Sequence, residues 1–218
     1  MIIPATYLRL LGCLMAGLVL TGCPATGQMV NFDPRAMSPH RANANAIQEE
    51  ALTIVVNPFQ DARPQQQRLG SRTHMWGGVT NFNAWNGNIS EGMANLAVAY
   101  LQQGNWQASR GGADQANATS APDVNLTGTV LALNANAKSG PMFTEIKVDM
   151  KVQFEAKNTK DGSSLRMVLG ANGSDSVTIF DPKDVERLLN LVAKDLYKQL
   201  FQDLTVKDRG LHLRSHTP

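Results

Sequence analysis

The sequence predicts an α+β fold, a mainly antiparallel sheet packed by two helices in the order strand, helix, meander, helix. Three observations predict it. Residues 145–157 alternate strictly, with Ile146, Val148, Met150, Val152, Phe154 and Ala156 on one face and Glu145, Lys147, Asp149, Lys151, Gln153, Glu155 and Lys157 on the other. That period of two is the mark of a strand buried on one side and wet on the other. Two further stretches, 88–104 and 181–204, repeat apolar residues at helical intervals. Leu52-Thr53-Ile54-Val55-Val56 is short, apolar and β-branched, and it stops at Asn57-Pro58, as a buried strand does.

Taken in order, the strand at 52–56 runs into Pro58-Phe59-Gln60-Asp61-Ala62-Arg63. Phe59 is placed to plug the edge of the core, and Asp61 and Arg63 to pair across the turn. Residues 70–88 are rich in Gly and Asn and carry His74, Trp76, Phe82 and Trp85, which reads as a loop. It is either a flap over the core or a contact surface, because aromatic rings bury much area while tolerating a wet edge. With Trp106 further on, Trp76, Phe82 and Trp85 form the set of candidate partner or ligand contacts. Asn88-Ile89-Ser90-Glu91 has capping-box spacing, Ile89, Met93, Leu96, Ala97, Tyr100 and Leu101 follow on one helical face, and Gly104 supplies a stop.

Val124, Leu126, Gly128, Val130 and Ala132 alternate, and Ser139-Gly140-Pro141 turns the chain into the strand at 145–157. The turn at 158–162 leads to Leu165, Met167 and Leu169, then through Gly170-Ala171-Asn172-Gly173 to Val177 and Ile179, a hairpin partner interrupted by a glycine-rich bend. Asp181-Pro182-Lys183-Asp184 opens the last helix with a cap, a proline in the first turn and an acid near the positive dipole end. Val185, Leu188, Leu189, Val192, Leu196, Leu200 and Leu204, widened by Tyr197 and Phe201, make a face broad enough to cover a sheet.

The N-terminus carries a different signal. An apolar run from Leu10 to Leu20 follows Arg9, too short for a membrane span of about 20 residues, and it closes on Leu20-Thr21-Gly22-Cys23. This is the form of an export signal with small residues at the cut. The tetrapeptide resembles the lipobox of bacterial lipoproteins. That resemblance implies a signal peptide cleaved before Cys23, with Leu20, Thr21 and Gly22 as the cleavage motif. It also implies a diacylglycerol group and a further fatty acyl chain such as palmitate on Cys23, and hence a membrane anchor in the cell envelope. Pro24, where Asp would favour the inner membrane, implies the periplasmic face of the outer membrane. With Cys13 in the discarded segment, no thiol is left for a disulfide or a metal.

The organisation expected is a signal peptide at 1–22, a lipidated N-terminus and flexible tether at 23–50, one α+β domain at 51–205 and a polar tail at 206–218. A strand running into Pro58-Phe59-x-Asp61-x-Arg63 is similar to the first strand of YajG-like periplasmic lipoproteins, which implies a small domain of that kind over the central region.

A formal charge of +2 across 218 residues is too small for an electrostatic nucleic-acid binder. The chain has no nucleophile elbow, metalloprotease helix or phosphate-binding glycine loop. His212 and His216 fall in the expected tail without an acidic third ligand. We therefore expect no catalytic residue, metal or cofactor, and a non-catalytic, membrane-anchored lipoprotein that serves as an adaptor or structural component with an envelope protein partner. The alternative is a transport accessory that binds lipid or another apolar ligand between sheet and helices.

Overall fold

A computed structural model of the chain describes residues 28–30, 52–84, 89–112 and 121–214. Within them lie β1 (Gln28–Val30), β2 (Thr53–Val56), β3 (Gln60–Asp61), β4 (Arg68–Thr73), β5 (Val79–Ala84), α1 (Ile89–Gln103), β6 (Gln107–Arg110), β7 (Val124–Ser139), β8 (Thr144–Asn158), β9 (Ser164–Val177), α2 (Pro182–Gln202), β10 (Leu204–Lys207) and β11 (Gly210–Leu213).

The sheet is curled and mixed, not mainly antiparallel. The long β7–β8–β9 meander is antiparallel as the alternation predicts, and β4 pairs with β5 in the same sense. Along its other edge β7 receives β2, β3 and β4 one after another, all parallel to it, while β6 adds parallel to β2 and β1 adds parallel to β5. Apolar alternation reports which face of a strand is buried and is silent about the direction of its neighbour. α1 carries the chain from β5 back across the domain, so that β6 re-enters beside β2 in the same direction.

Three stretches differ from the reading above. Residues 70–88 hold a hairpin, β4–β5, rather than a loop, with Thr80, Phe82 and Ala84 turned inward. β1 lies inside residues 23–50, where a flexible tether is expected, with Val30 fully buried at the sheet edge. β10 and β11 form a second hairpin where a polar tail was expected, closed by Asp208 and Arg209 at φ 53° and 59°. The expected glycine bend is also absent, since β9 keeps register with β8 throughout. Gly173 has another role: a Cβ there would sit 2.8 Å from Val192 Cγ2, so the missing side chain lets α2 lie close on the sheet.

The helices follow their sequence signals. The Asp181 carboxylate accepts from the Lys183 amide at 2.9 Å and Asp184 accepts from the Asp181 amide at 3.1 Å, a closed capping box with Pro182 in the first turn. Val185, Leu188, Leu189, Val192, Leu196, Tyr197, Leu200 and Phe201 are buried against the sheet. α1 buries Ile89, Met93, Ala94, Leu96, Ala97 and Leu101. The two helices are tied by Tyr197, whose hydroxyl donates to the Met93 carbonyl at 2.6 Å and whose ring meets Phe154 edge-on.

One end of the sheet is closed by polar bonds. Asp123 accepts from the Thr53 amide and, through both oxygens, from Arg209, each at 2.8 Å. Partial burial acts to raise the Asp123 pKa, but the Arg209 guanidinium and the Thr53 amide outweigh it and hold the carboxyl below its ordinary range. Beside it the buried Asn158 side chain bonds both backbone groups of Leu211, docking the β10–β11 hairpin.

Two outcomes follow from this packing. Gly128 faces Phe59, and a Cβ at that position would fall on the Phe59 ring; Gly128→Ala should therefore cost about 1–3 kcal/mol in denaturant unfolding as the ring is displaced. Burial pushes the Tyr197 phenol up from its ordinary pKa, so above about pH 10 the unfolded chain ionises this group while the folded chain resists. Its contribution is intact below that pH and is lost as pH rises. Tyr197→Phe should lower stability by about 1 kcal/mol at neutral pH and flatten the alkaline fall in a series of urea titrations.

Candidate functional site

The four aromatic candidates do not share a site. Phe82 is fully buried in β5, its ring stacked on Phe180 with centroids 6.1 Å apart. Trp106 is buried under α2, edge-on to Phe201 at 5.3 Å. Both are core residues. Trp85 lies outside the described residues, as do Leu20, Thr21, Gly22 and Cys23. Trp76 alone of the described three faces solvent, 90% exposed at the tip of the β4–β5 hairpin.

Trp76 has neighbours that sequence spacing does not reveal. Register places Val79, Thr73, Lys138, Ser139, Thr144 and Val177 in one row across β5, β4, β7, β8 and β9. Beyond that row the chain makes its turns at the same end of the sheet. There Met75 and Trp76 from the β4–β5 turn, Met142 and Phe143 from the β7–β8 turn, and Ile179 after β9 are all exposed, as is Val79 in the row itself. The remaining large exposed apolar side chains among the described residues, Val168, Leu191 and Leu213, are scattered elsewhere, which is ordinary for a protein surface. Six clustered at one rim are not.

The rim has a rigid base. Phe180 stacks on Phe82, and the Arg72 guanidinium lies 4.1 Å above the Phe180 ring while its Nε donates to Ser139 Oγ at 2.9 Å. These contacts draw the end of β9 across to β4 and β5 and curl the sheet. Partial burial lowers the Arg72 pKa from its usual value. His74 Nε2 meets Thr80 Oγ1 at 2.8 Å, and the His74 amide donates to the Gly78 carbonyl, fixing the hairpin tip.

Other groups are occupied structurally. Arg63 is buried and engages Asp61, Gln66, Arg68 and Leu133, which accounts for all five of its N–H donors. The Asp61–Arg63 pair thus forms as the sequence suggests and secures the loop. The cleft of about 420 Å³ beside it, lined by Pro64, Gln65, Arg68, Ser71 and Asn134, gains no free charge from Arg63. Between sheet and α2 the apolar void bounded by Leu126, Phe154, Met167 and Leu200 is about 10 Å³, no more than a single water requires. Among the described residues no three His, Cys, Asp or Glu side chains come together, and no helix is long and apolar enough to cross a membrane. His212 sits in β11 and His216 lies outside the described residues.

Burial separates these aromatics in a measurable way. Phe82→Ala and Trp106→Ala should each cost about 3–5 kcal/mol in urea unfolding, whereas Trp76→Ala should change stability by no more than about 0.5 kcal/mol.

No protein-family model matches the sequence, and comparison with curated proteins gives no match. Solved structures do resemble it. A Xanthomonas campestris protein of the family described as DUF330 is similar over 80% of this chain and 92% of its own, with 10% identity and a TM-score of 0.51. A lipoprotein of Neisseria meningitidis is similar over 70% of this chain and 99% of its own, with 14% identity and a TM-score of 0.36. The chain thus shares its fold with the Xanthomonas protein.

Proposed function

We propose that the chain is a non-catalytic envelope lipoprotein, anchored through acylated Cys23 on the periplasmic face of the outer membrane, where its domain serves as an adaptor or structural component of an envelope assembly. The observation that carries this is the apolar run ending in Leu20-Thr21-Gly22-Cys23. In such a signal the Cys23 sulfur takes a diacylglyceryl group and the newly freed amine takes a third acyl chain. Each buried methylene contributes about 0.8 kcal/mol, so two or more chains hold the protein to the bilayer durably. Pro24 in place of Asp supports outer-membrane sorting, and the Pro58-Phe59-x-Asp61-x-Arg63 likeness to YajG-like lipoproteins supports the same compartment.

An adaptor role fits a domain that spends its buried Arg63, Tyr197 and Asn158 on its own fold. All three satisfy backbone carbonyls or amides. The filled space under α2 favours this reading over a carrier that encloses an apolar ligand.

Expression in a Gram-negative host tests the anchor. The native chain should incorporate labelled palmitate and sediment with outer membranes, and Cys23→Ala should abolish the label and leave the signal segment uncleaved. Crosslinking in intact cells should recover a defined envelope protein; labelled, membrane-bound protein that is always a lone monomer would overturn the adaptor role.

A further inference from the structure

The chain enters the sheet at the apolar rim. β1 runs parallel to β5 with Gln28 opposite Phe82, so the segment before Gln28 approaches from the side of Val79. Val79 is three positions before Phe82 in β5, roughly 10 Å along a strand, and it belongs to the exposed row. Only residues 24–27 separate Cys23 from Gln28. Five steps of extended chain span at most about 18 Å. Cys23 is therefore leashed within a short distance of the rim that carries Trp76, Met142, Phe143 and Ile179, and the domain has no long tether on which to stand away from its anchor.

We propose that this rim is a bilayer-contact surface: Met75, Trp76, Val79, Met142, Phe143 and Ile179 insert among the headgroups and upper acyl chains of the membrane that holds Cys23, and so fix the domain's orientation. This rests on the lipoprotein reading above. Three features of the rim select lipid as the occupant. All of its side chains but Val79 come from separate segments beyond the last paired row of the sheet, which suits shallow insertion into a fluid surface. Trp76 at the outermost tip is a residue favoured at the membrane–water interface. The flanking charges, Lys138 and Glu145 paired across β7 and β8 one position from the last row and Asp181 and Lys183 at the start of α2 after Ile179, are of both signs and leave apolar burial as the driving force. The sheet's far end, closed by Asp123, Arg209 and Asn158, then points away from the bilayer.

The test uses the full chain, acylated in a Gram-negative host, purified from membranes and reconstituted into vesicles of phosphatidylethanolamine and phosphatidylglycerol. Nitroxide labels are placed at Met142→Cys, Ile179→Cys and, as an aqueous reference, Val168→Cys, while mass spectrometry reports the acyl groups on Cys23. Labels at 142 and 179 should collide several-fold more with oxygen and less with an aqueous nickel chelate than the label at 168. If Cys23 is acylated and all three labels meet the nickel chelate equally, the rim proposal is overturned and the lipoprotein reading stands. Rim labels shielded from both reagents, with spin–spin broadening between copies, would overturn it in favour of a protein contact. An unmodified Cys23 would remove the anchor and the proposal together.

Discussion

The pairing of β7 with β8, which runs from Val124–Asn158 to Ser139–Thr144 with one bulge at Leu131, is the constraint on which the remaining structure hangs. β8 covers one edge of β7 along its whole length, so every other strand touching β7 must share the opposite edge. β2, β3 and β4 do so in succession, and the register shift between Val130 and Ala132 falls between the segments that receive β3 and β4. A bulge there raises local twist, and Arg63 reaches that turn of β7 through the Leu133 carbonyl. The same strand also needs Gly128, because Phe59 must lie flat across it to reach Phe154. Packing of α2 then depends on the curl, with Gly173 admitting Val192 and Leu188 against β9.

Most of the meander and both helices were legible in the sequence because their signals are local. Alternation along β8 marks a face, and Asp181, Pro182 and Asp184 mark a helix start without reference to anything distant. Parallel pairing carries no such local mark, which is why the mixed character of the sheet was hidden. The β4–β5 hairpin was masked by composition: Thr80, Phe82 and Ala84 do alternate, but Gly77, Gly78 and several Asn residues surround them. The β10–β11 hairpin was masked by its turn, since Asp208 and Arg209 adopt positive φ without glycine. What holds that turn is Asp123, 86 positions away in the chain, a contact that no window of sequence contains.

The candidate site was half legible for a related reason. Residue type selected Trp76, Phe82 and Trp106 alike, and only the fold shows that Phe82 and Trp106 spend their area inside. Met142, Phe143 and Ile179 were missed because each sits alone in its own turn. A usable signal existed: Pro141-Met142-Phe143 puts apolar bulk where a turn ordinarily carries polar residues. It gains meaning only when register brings three such turns to one end of the sheet.

The two ends of the curled sheet are consequently unlike in chemistry. At one, Asp123, Arg209, Asn158 and the Leu211 backbone satisfy each other. At the other, the strand ladders stop at Thr73, Ser139, Thr144 and Val177 and the turns beyond expose apolar side chains. Core packing does not require that asymmetry, since Phe180 and Arg72 already seal the interior beneath the rim. Exposed apolar area of this kind is a liability in water unless something covers it. β1, held by β5 and leading back to Cys23 over so few residues, brings the proposed anchor to the end that needs covering. Under the proposed anchoring, sheet direction sets orientation at the membrane and turns the polar end the opposite way.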